Sequence, residues 1–200
     1  MTNGTMGQFL AVNLSSGRTT AIAVPDWLCQ GYIGGKGFGA KLLFDLLPRR
    51  TDPLSPANAF MVMTGPLTGT MAPSMRGCIV TKSPLTGTFL DSYFGGSFSP
   101  ELKYAGYDGL IVTGRSPEPV TLMIDDHQVG LESAAHLWGM DALAANEAIK
   151  AEHKDRTYKI LTIGQAGENG VLFGLVSCEY NRQAGRGGAG AVMGSKNLKA

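Results

Sequence analysis

Arg182-Gln183-Ala184-Gly185-Arg186-Gly187-Gly188-Ala189-Gly190-Ala191-Val192-Met193-Gly194-Ser195-Lys196-Asn197-Leu198-Lys199-Ala200 closes the sequence, with five glycines and four cations in nineteen residues. Glycine has no Cβ, so a backbone of this composition can bring its N–H groups close to a ligand and take positive φ. Consecutive exposed N–H groups form an anion-binding concavity, and arginine forks match phosphate geometry in a bidentate way. Arg182, Arg186 and Lys196 place their charge inside the glycine run, which suits a loop that holds a phosphorylated cofactor. The same residues also read as a glycine-rich turn beside a surface charge cluster.

Two common phosphate motifs are set aside. Gly185 to Gly190 satisfies G-x-G-x-x-G, but a dinucleotide site needs a strand before it, a full helix after it and an acidic residue about 20 positions on. Only ten residues follow Gly190, and none is acidic. In Ser195-Lys196 the order of a P-loop Gly-Lys-Ser/Thr is reversed.

The composition bounds the rest. Two hundred residues with 44% hydrophobic content are enough for a buried core. The 28 glycines, outside any low-complexity tract, indicate tight turns and close backbone approaches rather than disorder. A formal net charge of +1 offers nothing to nucleic acid or an anionic membrane. Cys29, Cys78 and Cys178 form no C-x-x-C, so they read as buried, reduced thiols. With no signal-peptide pattern and no apolar run near 18 residues, the expectation is a soluble cytoplasmic protein.

Along the chain, Phe9 to Leu14 and Thr19 to Val24 read as a β-hairpin through Ser15-Ser16-Gly17-Arg18. A short helix follows Pro25-Asp26, and Phe38 to Leu47 is a second helix stopped by Pro48. Phe60 to Met63 and Gly77 to Thr81 are strands. Ser99-Pro100-Glu101 reads as an N-cap with proline at the first helical position, and Gly106 ends that helix. Leu110 to Thr113 and Val120 to Ile124 are strands, the latter turning through Asp125-Asp126-His127-Gln128. Asp141 caps a helix from Ala142 to His153; Lys159 to Ile163 and Val171 to Ser177 are further strands.

Irregularly interspersed strands and helices argue for an α+β fold. The halves echo each other: Phe60 to Thr64, Gly65, Arg76 and Lys82 in the first, and Ile160 to Ile163, Gly164, Arg182 and Lys196 in the second. That suggests a duplicated fold, two repeats at about 1–100 and 101–200, able to hold a ligand with two similar halves; coincidence of common turn residues explains the echo as well. His127, His136 and His153 have no neighbours at ligand spacing, and His136 reads as a packed structural histidine. Asp125-Asp126 reads as a turn, Glu168-Asn169 as a cofactor contact or a strand cap, and Met61, Met63 and Met193 as core. No catalytic residue is assigned.

Thr64-Gly65-Pro66-Leu67-Thr68-Gly69-Thr70, Lys82 to Gly87, Glu101 to Asp108, Ile163 to Asn169 and the closing Ala184 to Ala200 together resemble the N-terminal domain of the aldehyde ferredoxin oxidoreductase family of tungsten or molybdenum enzymes. The resemblance covers essentially the whole chain. It implies a single domain over 1–200, built of two β-rich repeats with mostly antiparallel sheets, that serves as a base for a bis-pterin cofactor, tungstopterin or molybdopterin. It implies that Arg76, Gly95, Arg182, Gly185 and Arg186 contact the pterin dithiolenes and phosphates. A magnesium ion bridging the two phosphates would take backbone carbonyls at Tyr93 and Gln183. The family has asparagine at the first of these positions and a small residue at the second, so this chain departs at both side chains.

In such an enzyme an aldehyde is oxidised to a carboxylic acid and electrons leave through a 4Fe-4S cluster to ferredoxin. The cluster cysteines and acid/base residues lie in later domains. The sequence stops within Asn197-Leu198-Lys199-Ala200, which reads as a strand just starting, so a truncated chain, a split-gene subunit or an excised domain is expected. Its partners would then be the remaining catalytic domains or a separate subunit, within a homo-oligomer or complex. The alternative is a non-catalytic scaffold that binds a phosphate-bearing cofactor or a partner subunit.

Overall fold

The computed structural model describes residues 4–126, 128–154 and 157–200, so His127 lies outside the described residues. The first half runs β1 (Gln8–Asn13), β2 (Arg18–Ala23), α1 (Asp26–Gly31), α2 (Lys36–Leu46), β3 (Phe60–Met63), β4 (Gly77–Lys82), β5 (Phe89–Phe94), α3 (Phe98–Tyr104) and β6 (Gly109–Thr113). Its strands make one six-stranded sheet in the order β2-β1-β6-β3-β4-β5. Only the β1–β6 pair is parallel.

The period of two divides the apolar side chains of this sheet between its faces. Phe9, Met61, Met63, Cys78, Val80 and Ile111 meet Leu28, Phe38 and Leu43 of the two helices. Phe9 and Phe38 close that layer edge to face, with centroids 6.0 Å apart. Leu10, Val12, Phe60, Val62, Ile79, Leu110 and Val112 point the other way, into a core shared with the second half. β3 is therefore buried at every position. Fully burying such a side chain contributes about 1.5–3 kcal/mol, which fixes the register.

The second half runs β7 (Val120–Asp125), β8 (Gln128–Ser133), α4 (Ala142–Glu152), β9 (Leu161–Thr162), α5 (Gln165–Glu168), β10 (Val176–Cys178), β11 (Arg182–Ala184) and α6 (Ala189–Ser195). β7 and β8 form a hairpin, and β9, β10 and β11 form a three-stranded sheet in the order β11-β10-β9. Asp141 caps α4 as expected, its side chain accepting from the Ala144 N–H at 2.8 Å.

Several local expectations are corrected. α3 begins at Phe98 with Ser97 as N-cap; Ser99 lies inside the helix, its buried Oγ without a partner. β9 spans only Leu161–Thr162, and Val171–Leu175 is turn, closed by Gly174 N–H to the Val171 carbonyl, so β10 starts at Val176. The closing glycine run is largely helix rather than loop. Gly188, at φ +84°, opens α6, and Ala189 to Gly194 are all buried. A Cβ on Gly190 would stand 2.3 Å from the Leu175 carbonyl oxygen, and one on Gly194 2.1 Å from that of Gly167. Glycine here is what lets α6 lie directly on backbone.

The mixed α+β architecture is as read, but the two halves correspond in a different register from the one expected. Each passes through a hairpin, one or more helices, three successive antiparallel strands and a helix. Gly65 and Gly164 keep matching places after β3 and β9. Arg76 precedes β4 whereas Arg182 opens β11, and Lys82 ends a strand whereas Lys196 ends a helix, so those pairs are not equivalent. Strand β6, beyond residue 100, sits inside the first sheet.

Candidate functional site

Gly77 sets the geometry of the cleft beside β4 and β5. A Cβ there would stand 2.2 Å from Ser99 Oγ and 2.4 Å from Phe94 Cζ, so only glycine lets β4 start flush against α3. The residue before it, Arg76, is exposed. The pairs Gly77↔Phe94 and Cys78↔Tyr93 bring the end of β5 alongside. The turn just after β11 is tied to β5 by the Arg186 N–H, which donates to Ser92 Oγ at 3.1 Å.

Arg76, Tyr93, Gly95, Arg182 and Gln183 line one open cleft of about 560 Å³. Five of the seven residues expected at the site are thereby gathered from three separate parts of the chain. Gly185 and Arg186 do not line it; they follow directly after β11, both exposed, and a Cβ on Gly185 would meet nothing within 4 Å. Gly95 sits beneath the Arg182 side chain, its notional Cβ 3.5 Å from Arg182 Cδ. Two guanidiniums face this cleft and its lining contains no carboxylate. An arginine pair in such a setting attracts a multiply charged anion.

Residues that the sequence did not single out hold this arrangement. Gly96, at φ +93°, also lines the cleft, and its Cβ would stand 3.1 Å from Cys178 Sγ. Glu179 Oε1 accepts from the Ser97 N–H at 2.8 Å and so fastens the turn after β5 to the β10–β11 turn. The Gly95-Gly96 doublet was the available signal for that turn. Glu179 is 82 positions from Ser97 and had none.

Burial pushes the Tyr93 phenol, whose side chain reaches Cys78, above its ordinary value. Burial likewise pushes Cys78, behind Tyr93, up to about 12, and Cys178 to about 12. These two thiols are buried, as read, whereas Cys29 is half-buried. Lys36 and Asp91 form an exposed pair at 3.3 Å beside Tyr93, which raises the lysine.

The remaining candidates are structural. His136 is not packed: its ring is half exposed and meets Glu152 Oε1 at 2.6 Å. Glu168 turns inward to Lys199 and accepts from the Gly139 N–H at 2.8 Å. Asp126 takes φ +49° in a turn, and Met61, Met63 and Met193 lie in the core. Among the described residues no three His, Cys, Asp or Glu side chains gather to hold a metal. No helix among them is long and apolar enough to cross a membrane.

The sequence profile of the family described as "Aldehyde ferredoxin oxidoreductase, N-terminal domain" matches residues 9–200. A tungsten-containing aldehyde ferredoxin oxidoreductase of Pyrococcus furiosus is 43% identical over 98% of this chain and 33% of its own length. The WOR-like subunit of an aliphatic sulfonate oxidoreductase from the same organism is 34% identical over 97% of this chain and 33% of its own. Among solved structures, the active site complex BamBC of benzoyl coenzyme A reductase, with 1,5-dienoyl-CoA, superposes with a TM-score of 0.97 at 40% identity, covering 100% of this chain and 30% of that one. The chain thus spans about a third of the length of these relatives.

Proposed function

Because the chain belongs to the aldehyde ferredoxin oxidoreductase family, as its N-terminal domain, we propose that residues 1–200 are the cofactor-binding base of a tungsten- or molybdenum-dependent oxidoreductase. One observation carries the reading: Arg76 and Arg182, distant in sequence, line the same anion-seeking cleft. Two arginines in one cleft support a group that carries more than one phosphate. When bound, a bis-pterin metal centre supplies two-electron redox chemistry at the metal; the protein supplies binding, orientation and electrostatics.

The chain's own residues would act as follows. Arg76 and Arg182 hold the phosphates by charge-assisted bonds, and Gly95, with Gly185 past the end of β11, leaves room for the pterins. Arg186 adds charge beside them. Tyr93 stands where the family has an amide and turns its phenol to Cys78, and Gln183 adds a polar rim. The backbone carbonyls of Tyr93 and Gln183 are the proposed magnesium contacts, because hard oxygen suits that ion. In the complete enzyme, aldehyde oxidation to the acid, a 4Fe-4S relay to ferredoxin, and a cytoplasmic homo-oligomer or multi-subunit complex complete the proposal.

The test is pterin and metal content of the complete enzyme carrying Arg76→Ala or Arg182→Ala. A charge-assisted bond contributes about 1.5–3 kcal/mol, so each variant should lose cofactor affinity tenfold or more. Lysine should restore little, because an ammonium lacks the fork. Full tungsten or molybdenum and pterin content in both alanine variants would refute the assignment.

A further inference from the structure

The turn between β10 and β11 carries a backbone outlier. Cys178 pairs with Arg182 across it, which leaves Glu179, Tyr180 and Asn181 as the connecting residues. Glu179 takes φ +54°, a left-handed conformation that glycine or asparagine adopts readily and glutamate rarely does. Its backbone is held there from both sides. The Glu179 N–H donates to the Ile160 carbonyl at 2.9 Å. The Glu179 carbonyl accepts from Nδ2 of Asn146, a fully buried residue of α4, at 3.2 Å. Tyr180 is fastened to the same helix, its phenol donating to Glu147 Oε1 at 2.5 Å and accepting from Lys150 Nζ at 3.0 Å.

A strained backbone at a position that glycine would relax directs attention to the side chain. The Glu179 carboxylate reaches the Gly95-Gly96-Ser97 turn. Oε1 accepts from the Ser97 N–H at 2.8 Å, and Oε2 lies 3.2 Å from where a Gly96 Cβ would stand. The Arg182 side chain lies over the neighbouring glycine, with Cδ 3.5 Å and Nε 3.7 Å from the notional Gly95 Cβ. Glutamate and arginine thus leave the two ends of one turn and come down on adjacent glycines. The backbone on which Arg182 rests is the backbone that the carboxylate fixes. No ion pair among the described residues takes up that carboxylate, so its contribution is a directed hydrogen bond.

The fold does not hang on this contact. Behind it, Cys178 Sγ is buried 3.1 Å from the notional Gly96 Cβ and meets the Phe98 backbone. The pairing of β10 with β9 and β11 runs through backbone groups and does not involve the carboxylate. Removing the carboxylate therefore frees the turn at 95–97 and leaves the sheet in place.

We infer that Glu179 is a positioning residue: its carboxylate holds the Gly95-Gly96 turn beneath Arg182 and so aims that guanidinium into the cleft, towards the phosphates of the cofactor. The inference rests on the cofactor reading of the cleft. It explains why a glutamate is kept where the backbone favours glycine.

Glu179→Gly, Glu179→Gln and Arg182→Ala in the complete enzyme, with the double variant Glu179→Gly/Arg182→Ala, test it. The readouts are metal and pterin content and the melting temperature of the cofactor-free protein. In Glu179→Gly the relaxed backbone offsets the lost Ser97 bond, so the cofactor-free protein should melt within a few degrees of the parent. Its cofactor content should nevertheless fall by about fivefold, because the arginine is no longer held in place. Glu179→Gln keeps an oxygen for the Ser97 N–H and should keep the parent content. On top of Arg182→Ala, Glu179→Gly should cause no further loss, as a residue acting through Arg182 requires. Full cofactor content in Glu179→Gly alongside loss in Arg182→Ala would overturn the inference and leave the cofactor reading standing. Full content in Arg182→Ala would overturn that reading, and the inference with it. A Glu179→Gly protein that melts far below the parent would make Glu179 a residue of the fold alone and overturn the inference. So would a Glu179→Gln protein as depleted as the glycine variant, or a further loss in the double variant.

Discussion

Gly194→Ala sets two local rules against each other. In an ordinary helix interior alanine is favoured over glycine by about 1 kcal/mol, so propensity alone predicts a more stable α6. The structure predicts the opposite. The new Cβ would stand 2.1 Å from the Gly167 carbonyl oxygen and 2.6 Å from its carbon, both rigid backbone atoms of α5. Relief requires the two helices to part by roughly an ångström in a close-packed core, and overpacking of this kind costs about 1–3 kcal/mol or more. Taking the upper end against the propensity gain leaves a net loss of about 2 kcal/mol, which for a chain of this size lowers the melting temperature by about 4–8 °C. Scanning calorimetry measures this directly. Gly185→Ala is the internal control: its Cβ meets nothing within 4 Å, so without cofactor its melting temperature should stay within a degree or so of the parent. A Gly194→Ala protein that melts at or above the parent temperature would refute the account of α6 as a helix laid on backbone.

Other consequences can be checked separately. Breaking the buried Glu168–Lys199 pair with Glu168→Ala strands an ammonium whose side chain is fully buried, and should cost about 3–5 kcal/mol in denaturant titrations; Glu168→Ala with Lys199→Met should cost less. Burial lowers Lys196 from 10.5 to about 8, so between those pH values the unfolded chain holds a proton that the folded chain has released. Folding stability should therefore rise from pH 8 towards 10.5, and Lys196→Met should flatten that rise. Cys78 and Cys178, pushed up to about 12 and buried, should resist iodoacetamide at pH 8 in the native protein while half-buried Cys29 is alkylated, as peptide mass spectrometry would show.

The elements legible in the sequence are those whose signal is local. The β1–β2 hairpin, the apolar run Phe60 to Met63 and the Asp141 cap each follow from neighbouring residues. β5 was not legible, because its inward positions are Leu90, Ser92 and Phe94 and its partly exposed ones include Phe89 and Tyr93. A serine facing inward, here receiving the Arg186 N–H, breaks the alternation that marks a strand. α6 was hidden because glycine and alanine give it almost no apolar face, its packing being backbone on backbone. At the cleft, Arg182 stood out by its place beside the glycine run, whereas Arg76 and Gly95 were named as cofactor contacts only through the family resemblance. Their supports, Glu179 and Gly77, act through contacts that no local pattern encodes.

Strand β6 has a further consequence for how the molecule is made. It occupies the middle of the first sheet, between β1 and β3, yet is the last of that sheet's six strands in chain order. Until residue 113 has emerged from the ribosome, the β1–β2 hairpin and the β3–β5 meander share no hydrogen bonds and each carries an open apolar edge. Synthesis at about 5–20 residues per second leaves those edges uncovered for seconds, long compared with the time in which a hairpin forms. Such edges pair readily with other chains. These edges are thus open to mispairing during synthesis, and slowed translation between residues 63 and 113 should lower the yield of folded protein more than the same delay placed within residues 1–23.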